Sequence, residues 1–206
     1  MKKLSGLYGI TDDRLLPQSI LADAVEESLI AGCSLIQYRN KSEDWNTQLQ
    51  QAKSLQTLCQ NHLVPLIIND NIDLCLAVNA AGVHLGKQDS SLETAREKLG
   101  SEKIIGITCH DSIDAAVAAE KAGADYVAFG SFFPSVTKPQ ASPAPLEVLT
   151  LAKKKLSIPI VAIGGINAEN GAALISAGAD MLAVISALFK DENVTARTAE
   201  LVQLFE

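Results

Sequence analysis

One short pattern occurs four times in this chain: an alanine-rich segment suited to helix, a small residue with glycine, then at once an apolar run. It reads Leu29-Ile30-Ala31-Gly32 before 34–38 and Asn79-Ala80-Ala81-Gly82 before 83–85. It returns as Lys121-Ala122-Gly123-Ala124-Asp125 before 126–130 and as Ser176-Ala177-Gly178-Ala179-Asp180 before 181–186. Glycine at such a point ends a helix in left-handed cap geometry, so the next strand begins almost immediately. Further apolar runs fall between the copies, at 4–10, 65–69, 103–107 and 159–164.

Eight strands therefore alternate with helices expected near 17–31, 43–60, 71–79, 91–99, 112–122, 145–155, 168–177 and 193–205. The strands are almost continuously apolar, as they must be when helices cover the outer face of a parallel sheet. Helix-start signals agree: Ser42 stands before Glu43 and Asp44, and Asp111 or Ser112 precedes the run Ala115–Ala119. Eight βα units in 206 residues predict an α/β chain folded as a (β/α)8 TIM barrel, in a single domain over 1–206. A doubly wound sheet is the alternative, but no G-x-G-x-x-G follows the first strand.

Hydrophobic residues make up 48% of the chain and charged ones 20%, which is globular composition rather than disorder. A net charge of −7 argues against nucleic acid or an anionic membrane surface as partner. An anionic small molecule stays possible, because a few local cations and a metal reverse the field inside one pocket. The four cysteines are scattered without a C-x-x-C pair and read as small buried residues of a reducing compartment. Met1-Lys2-Lys3 leads into an apolar stretch that Thr11-Asp12-Asp13-Arg14 ends too soon for a signal peptide, and no run reaches membrane-span length. The expected location is the cytoplasm; a homo-oligomer is compatible with the sequence.

The strand ends carry the functional information. Gln37, Arg39 and Lys41 alternate along the end of strand 2, which aims all three at the barrel mouth. A planar guanidinium fork and an ammonium point charge together suit a diphosphate. Asn69-Asp70 closes strand 3 and Asp89 lies just past strand 4. Two acids from neighbouring strand ends, beside two cations, suit Mg2+ shared with substrate phosphates. Thr108 and His110 follow strand 5, where His110 reads either as a partner of a neighbouring loop or as a proton carrier. His84, inside a strand, reads as structural and His62 as surface.

Residues 131–145 hold four prolines around Ser135, Thr137 and Lys138, the makings of an active-site lid with a phosphate clamp. Gly164-Gly165-Ile166 after strand 7 and Ile185-Ser186-Ala187 after strand 8 occupy the loops that commonly bind phosphate in barrels. The barrel is thus expected to carry a metal–diphosphate site over strands 2–4 and 6 and a monophosphate site over strands 7–8.

These motifs resemble the thiamine phosphate synthase family over nearly the whole chain. The resemblance lies in Gln37-Tyr38-Arg39-Asn40-Lys41, Ile68-Asn69-Asp70, Val83-His84-Leu85-Gly86-Lys87-Gln88-Asp89, Phe133-Pro134-Ser135-Val136-Thr137-Lys138 and Ala162-Ile163-Gly164-Gly165-Ile166, in family order. It implies a transferase that joins 4-amino-2-methyl-5-hydroxymethylpyrimidine diphosphate to 4-methyl-5-(2-phosphoethyl)thiazole, giving thiamine phosphate and diphosphate. It further implies that Gln37, Arg39, Lys41, Asn69 and Lys138 hold the pyrimidine diphosphate, with Arg39, Lys41 and Lys138 catalytic. Asp70 and Asp89 would ligate Mg2+, and Thr108 would face the pyrimidine. Ser135, Thr137, Gly165, Ile185 and Ser186 would surround the thiazole phosphate. Thr108 stands where the family usually has Ser and Ser135 where it usually has Thr, both keeping the hydroxyl. Two rivals need less of this set: a barrel that tautomerises the thiazole phosphate through His110, and a phosphate-ligand sensor without catalysis.

Overall fold

A computed structural model describes residues 4–42, 44–87, 89–134 and 143–206. Eight strands form the centre: β1 (Gly6–Ile10), β2 (Leu35–Tyr38), β3 (Leu66–Asn69), β4 (Gly82–Leu85), β5 (Ile104–His110), β6 (Tyr126–Phe129), β7 (Ile160–Ile163) and β8 (Met181–Val184). All pair in parallel in chain order, and β8 closes onto β1. The helices are α1 (Gln18–Ile30), α2 (Trp45–Asn61), α3 (Ile72–Val78), α4 (Leu92–Leu99), α5 (Ile113–Lys121), α6 (Glu147–Lys155), α7 (Gly171–Ala177), α8 (Ser186–Phe189) and α9 (Val194–Val202). The chain is a (β/α)8 barrel. The short α8, inserted between β8 and α9, was not expected; four residues are too few to leave a periodic signal.

Strand alternation builds two cores. Ile36, Tyr38, Ile68, Val83, Ile105, Val127, Ala162 and Leu182 face outward under the helices. Tyr8, Leu35, Ile67, Ile104, Tyr126, Val161 and Met181 fill the barrel and floor whatever lies above them. The four thiols are buried, and burial pushes Cys33 up to about 11 and Cys59 and Cys109 up to about 12. They behave as small apolar fillers.

Three expectations need correction. Gly32, Gly123 and Gly178 have positive φ, but Gly82 does not; Asn79 supplies the left-handed turn after α3, at φ 51°. Gly82 is needed for space instead, because a Cβ there would lie 1.9 Å from the Ile104 carbonyl oxygen across the β4–β5 ladder. The strand expected over 103–107 continues to His110, with its register shifting between Thr108 and His110, so both side chains project from β5 itself. The cap of α2 is Asp44 rather than Ser42, accepting from the Asn46 amide at 3.1 Å, while Ser112, one of the two expected caps of α5, does accept from the Ala115 amide at 3.1 Å. Ser135, Thr137 and Lys138, with most of the expected lid, lie outside the described residues. Among those described, no helix is long and apolar enough to cross a membrane.

Candidate active site

A cavity of about 350 Å³ opens over the carboxyl ends of the strands. Gln37 and Arg39 reach it from β2, Asn69 from β3, His84 from β4, Thr108 and His110 from β5, Gly164 and Gly165 from the β7 end, and Ile185 and Ser186 from the β8 end. Ten residues from six strands, between positions 37 and 186, therefore share one wall. Parallel strands in a closed barrel all deliver their carboxyl ends to the same face.

Arg39 is held rather than free. Its Nη1 donates to Asp12 Oδ2 at 2.8 Å, and its backbone N–H donates to Thr11 Oγ1 at 2.9 Å. Asp12 is only 2% exposed at its side chain and also accepts from Arg14 Nε at 3.2 Å. Burial works against charge on Asp12, but the hydrogen bonds and charge of Arg14, with the charge of Arg39, outweigh it and hold the carboxyl below its ordinary range. One of five guanidinium N–H donors is spent on Asp12 among the described contacts, and the fork is fixed for a planar anion. Thr11 and Asp12 were read from sequence only as the end of an apolar run. An acid directly after a barrel strand was the available signal.

Lys41 departs from the period-2 expectation. β2 ends at Tyr38, and Lys41 lines a separate recess of about 200 Å³ that shares Asn69 with the main cavity. Its Nζ lies 2.6 Å from Asp70 Oδ2, which also accepts from Asn69 Nδ2 at 2.6 Å. Asp70 is at φ 62°, a conformation that L residues other than Asn and Asp rarely take. Asp89 Oδ2 accepts from the Gly86 amide at 2.7 Å. Burial, then the Asp70 hydrogen bond and charge, raise the Asp89 carboxyl, with Gly86 and Lys41 pulling the other way. The two acids are therefore close enough to repel, a pair that a hard divalent cation would neutralise. No group of three or more His, Cys, Asp or Glu side chains stands ready to hold a metal among the described residues, so ligand oxygens and water would complete such a site.

At the β7 end Gly164 and Gly165 have φ 107° and 64°. Phe133 donates its amide to the Gly164 carbonyl at 3.0 Å, laying the β6 loop on this turn. A Cβ on Gly165 would meet the Pro134 carbonyl oxygen at 2.5 Å. The glycine thus serves loop packing as well as any ligand. Asn170 Nδ2 donates to the Gly165 carbonyl at 3.0 Å and fixes the peptide. Ser186 begins α8 beside it.

Sequence reasoning named Gln37 and Thr108 but missed the line of side chains that joins them across the cavity floor. Gln37 Nε2 donates to the Tyr8 hydroxyl at 2.6 Å, which meets the Tyr126 hydroxyl at 2.8 Å. Tyr126 then meets His84 Nδ1 at 2.9 Å, and His84 Nε2 meets Thr108 Oγ1 at 2.8 Å. His84 is accordingly part of the cavity wall. His62 lies 3.8 Å from Glu26 on the surface side of α1 and α2, away from the cavity. His110 is exposed at φ 54° and lines the cavity.

The profile of the family described as thiamine monophosphate synthase matches residues 7–188. The chain belongs to this family. Among curated relatives, the thiamine-phosphate synthase of Nitrosococcus oceani is 50% identical over 202 residues, covering 98% of this chain and 93% of that protein. That of Thioalkalivibrio sulfidiphilus is 49% identical, covering 100% and 97%. A solved thiamine phosphate pyrophosphorylase from Pyrococcus furiosus superposes with a TM-score of 0.88 at 38% identity, covering 97% of this chain and 94% of that one. The thiamine monophosphate synthase family therefore spans the whole barrel, including every strand end described above.

Proposed function

We propose that this chain makes thiamine phosphate by joining 4-amino-2-methyl-5-hydroxymethylpyrimidine diphosphate to 4-methyl-5-(2-phosphoethyl)thiazole, with release of diphosphate. The observation that supports the reading is a clamped guanidinium in the main cavity next to a recess, joined to it at Asn69, where Lys41 meets one of two mutually repelling acids. A tautomerase or a phosphate sensor would need neither.

In this reading Gln37, Arg39, Lys41, Asn69 and Lys138 hold the pyrimidine diphosphate and Thr108 faces its ring. Ser135, Thr137, Gly165, Ile185 and Ser186 surround the thiazole phosphate. The paired carboxylates of Asp70 and Asp89 fit Mg2+, which prefers hard oxygen donors and tolerates waters and phosphates as the rest of its shell. Bound there, the cation would neutralise charge on the diphosphate oxygens. Arg39, fixed by Asp12, and Lys41 stabilise the negative charge that grows as the carbon–oxygen bond to diphosphate breaks and oxygen keeps the electron pair. The aminopyrimidine ring is electron-rich and supports the resulting methylene cation. The thiazole nitrogen then donates its lone pair to that carbon. No residue acts as a covalent nucleophile. Ile10, Ala128 and Val161 add apolar lining to the cavity, which holds water poorly beside the cation. The reaction takes place in the cytoplasm.

The test is formation of thiamine phosphate from the two substrates in Mg2+ and then in excess EDTA. Product that disappears in EDTA and returns with Mg2+ supports the synthase with its metal. Turnover of the thiazole phosphate alone, indifferent to EDTA, would move the assignment to a tautomerase.

A further inference from the structure

Five buried or half-buried side chains from five different strands make one continuous hydrogen-bonded line under the cavity. Gln37, Tyr8 and Tyr126 are at most 2% exposed. His84, Gly106 and Tyr126 lie in one lateral row, His84 paired with Gly106 and Gly106 with Tyr126. The His84 and Tyr126 rings stack across the glycine, 5.6 Å between centroids and 20° between planes. A Cβ on Gly106 would lie 2.0 Å from Tyr126 Cζ, so the arrangement exists only because that position has no side chain. Tyr8 meets Tyr126 edge-on at 6.0 Å and 87°.

The line has a direction that proton counting reveals. The Gln37 amide nitrogen can only donate, so the Tyr8 oxygen accepts from it. Burial raises both phenols well above their ordinary range, so each keeps its one hydrogen. The hydrogen of Tyr8 goes to the Tyr126 oxygen, its other partner among the described contacts. Tyr126 must then spend its own on His84 Nδ1. That leaves the imidazole proton on Nε2, which donates to Thr108 Oγ1. Thr108 accepts, and its hydrogen is left to point into the cavity that it lines.

We propose that these five side chains form a one-way relay that fixes His84 as its Nε2–H tautomer and presents the Thr108 hydroxyl as a hydrogen-bond donor. His84 and Tyr126 are then positioning residues that select an acceptor atom, such as a ring nitrogen, on the pyrimidine substrate. The pyrimidine part rests on the function proposed above; the tautomer does not. A hydroxyl free to rotate accepts or donates with equal ease and discriminates poorly. One whose acceptor side is already taken rejects a ligand that can only donate.

The experiment is two-bond hydrogen–nitrogen NMR on the full chain with 15N-labelled histidine and no ligand. The His84 signal is assigned from the spectrum of His84→Gln. The relay requires a bare Nδ1 and a protonated Nε2 in the wild type, and a tautomer mixture in Tyr126→Phe, where Nδ1 loses its donor. A wild-type Nδ1–H form, or a wild-type mixture, overturns the relay and needs no variant to fold. Calorimetry follows, with pyrimidine diphosphate and thiazole phosphate titrated separately. Tyr126→Phe should weaken the first about three- to tenfold, the worth of one net hydrogen bond, and leave the second unchanged. Equal weakening of both, or of neither, refutes the positioning role. Should the wild type bind neither ligand while His84 is pure Nε2–H, the functional reading falls and the relay stands.

Discussion

Gly106→Ala should be among the most damaging single-methyl additions to this protein. Gly106 has no positive φ, so the backbone alone would accept alanine. The new Cβ would lie 2.0 Å from Tyr126 Cζ and 2.4 Å from each Cε, where non-bonded carbons rest about 3.5 to 4 Å apart. The ring must therefore withdraw by about 1.5 Å. It cannot do so at small cost, because Tyr126 is fully buried and its hydroxyl is held by Tyr8 and His84. Overpacking costs about 1 to 3 kcal/mol and two strained hydrogen bonds add about 1 kcal/mol each, giving about 3 to 5 kcal/mol in all. For a chain of this size that lowers Tm by roughly 6 to 20 °C. Urea unfolding should show a lower midpoint with an unchanged m-value. In a Tyr126→Leu background the same substitution should cost much less, since the ring it strikes is gone. A Gly106→Ala protein within about 0.5 kcal/mol of wild type would refute the reasoning.

Three other outcomes are expected. Asp12→Asn, which releases Arg39, should raise KM for the pyrimidine diphosphate and cost about 1 to 3 kcal/mol of stability; a steady-state assay with urea unfolding checks both. Because Asp12 is depressed in the folded state, its contribution is complete above its ordinary value of 3.8 and fades as pH falls through the lower folded value. The acid limb of the stability curve should therefore be shallower in Asp12→Asn than in wild type. Asp70→Asn should abolish turnover with an unchanged circular dichroism spectrum, since asparagine tolerates the φ of 62° at that position; wild-type rates would refute its assigned role. Arg96→Ala should cost about 2 to 3 kcal/mol, and Arg96→Lys should not restore it, because one planar fork reaches the carbonyls of Gly100, Lys103 and Gly123 and the Asp125 carboxylate.

The barrel was legible in the sequence because its two determinants are local: short apolar strands and mostly glycine-terminated helices. Most of the candidate wall was legible for a related reason. Once the strands are parallel and closed, Gln37, Arg39, Asn69, Gly165 and Ser186 have nowhere to go but one face. Lys41 was misplaced because period-2 reasoning was carried three residues past the end of β2, where the chain no longer alternates. Gly82 was misread as a cap because spacing alone does not separate a glycine needed for φ from one needed for close approach. The floor was illegible for a deeper reason. Tyr8, His84 and Tyr126 look like ordinary strand residues, and the hydrogen bonds of the line join positions up to 118 apart. Asp12 became significant only when its partner Arg39 was seen beside it.

The proposed reaction transfers the pyrimidinylmethyl group from diphosphate to the thiazole nitrogen at this barrel mouth. One phosphorus NMR time course tests it, with purified protein, Mg2+ and both substrates, against mixtures lacking either one. Diphosphate and thiamine phosphate should rise in equal amounts, and neither should appear when one substrate is omitted. Diphosphate released without the thiazole phosphate at the same rate, or loss of the thiazole signal with no diphosphate formed, would contradict it.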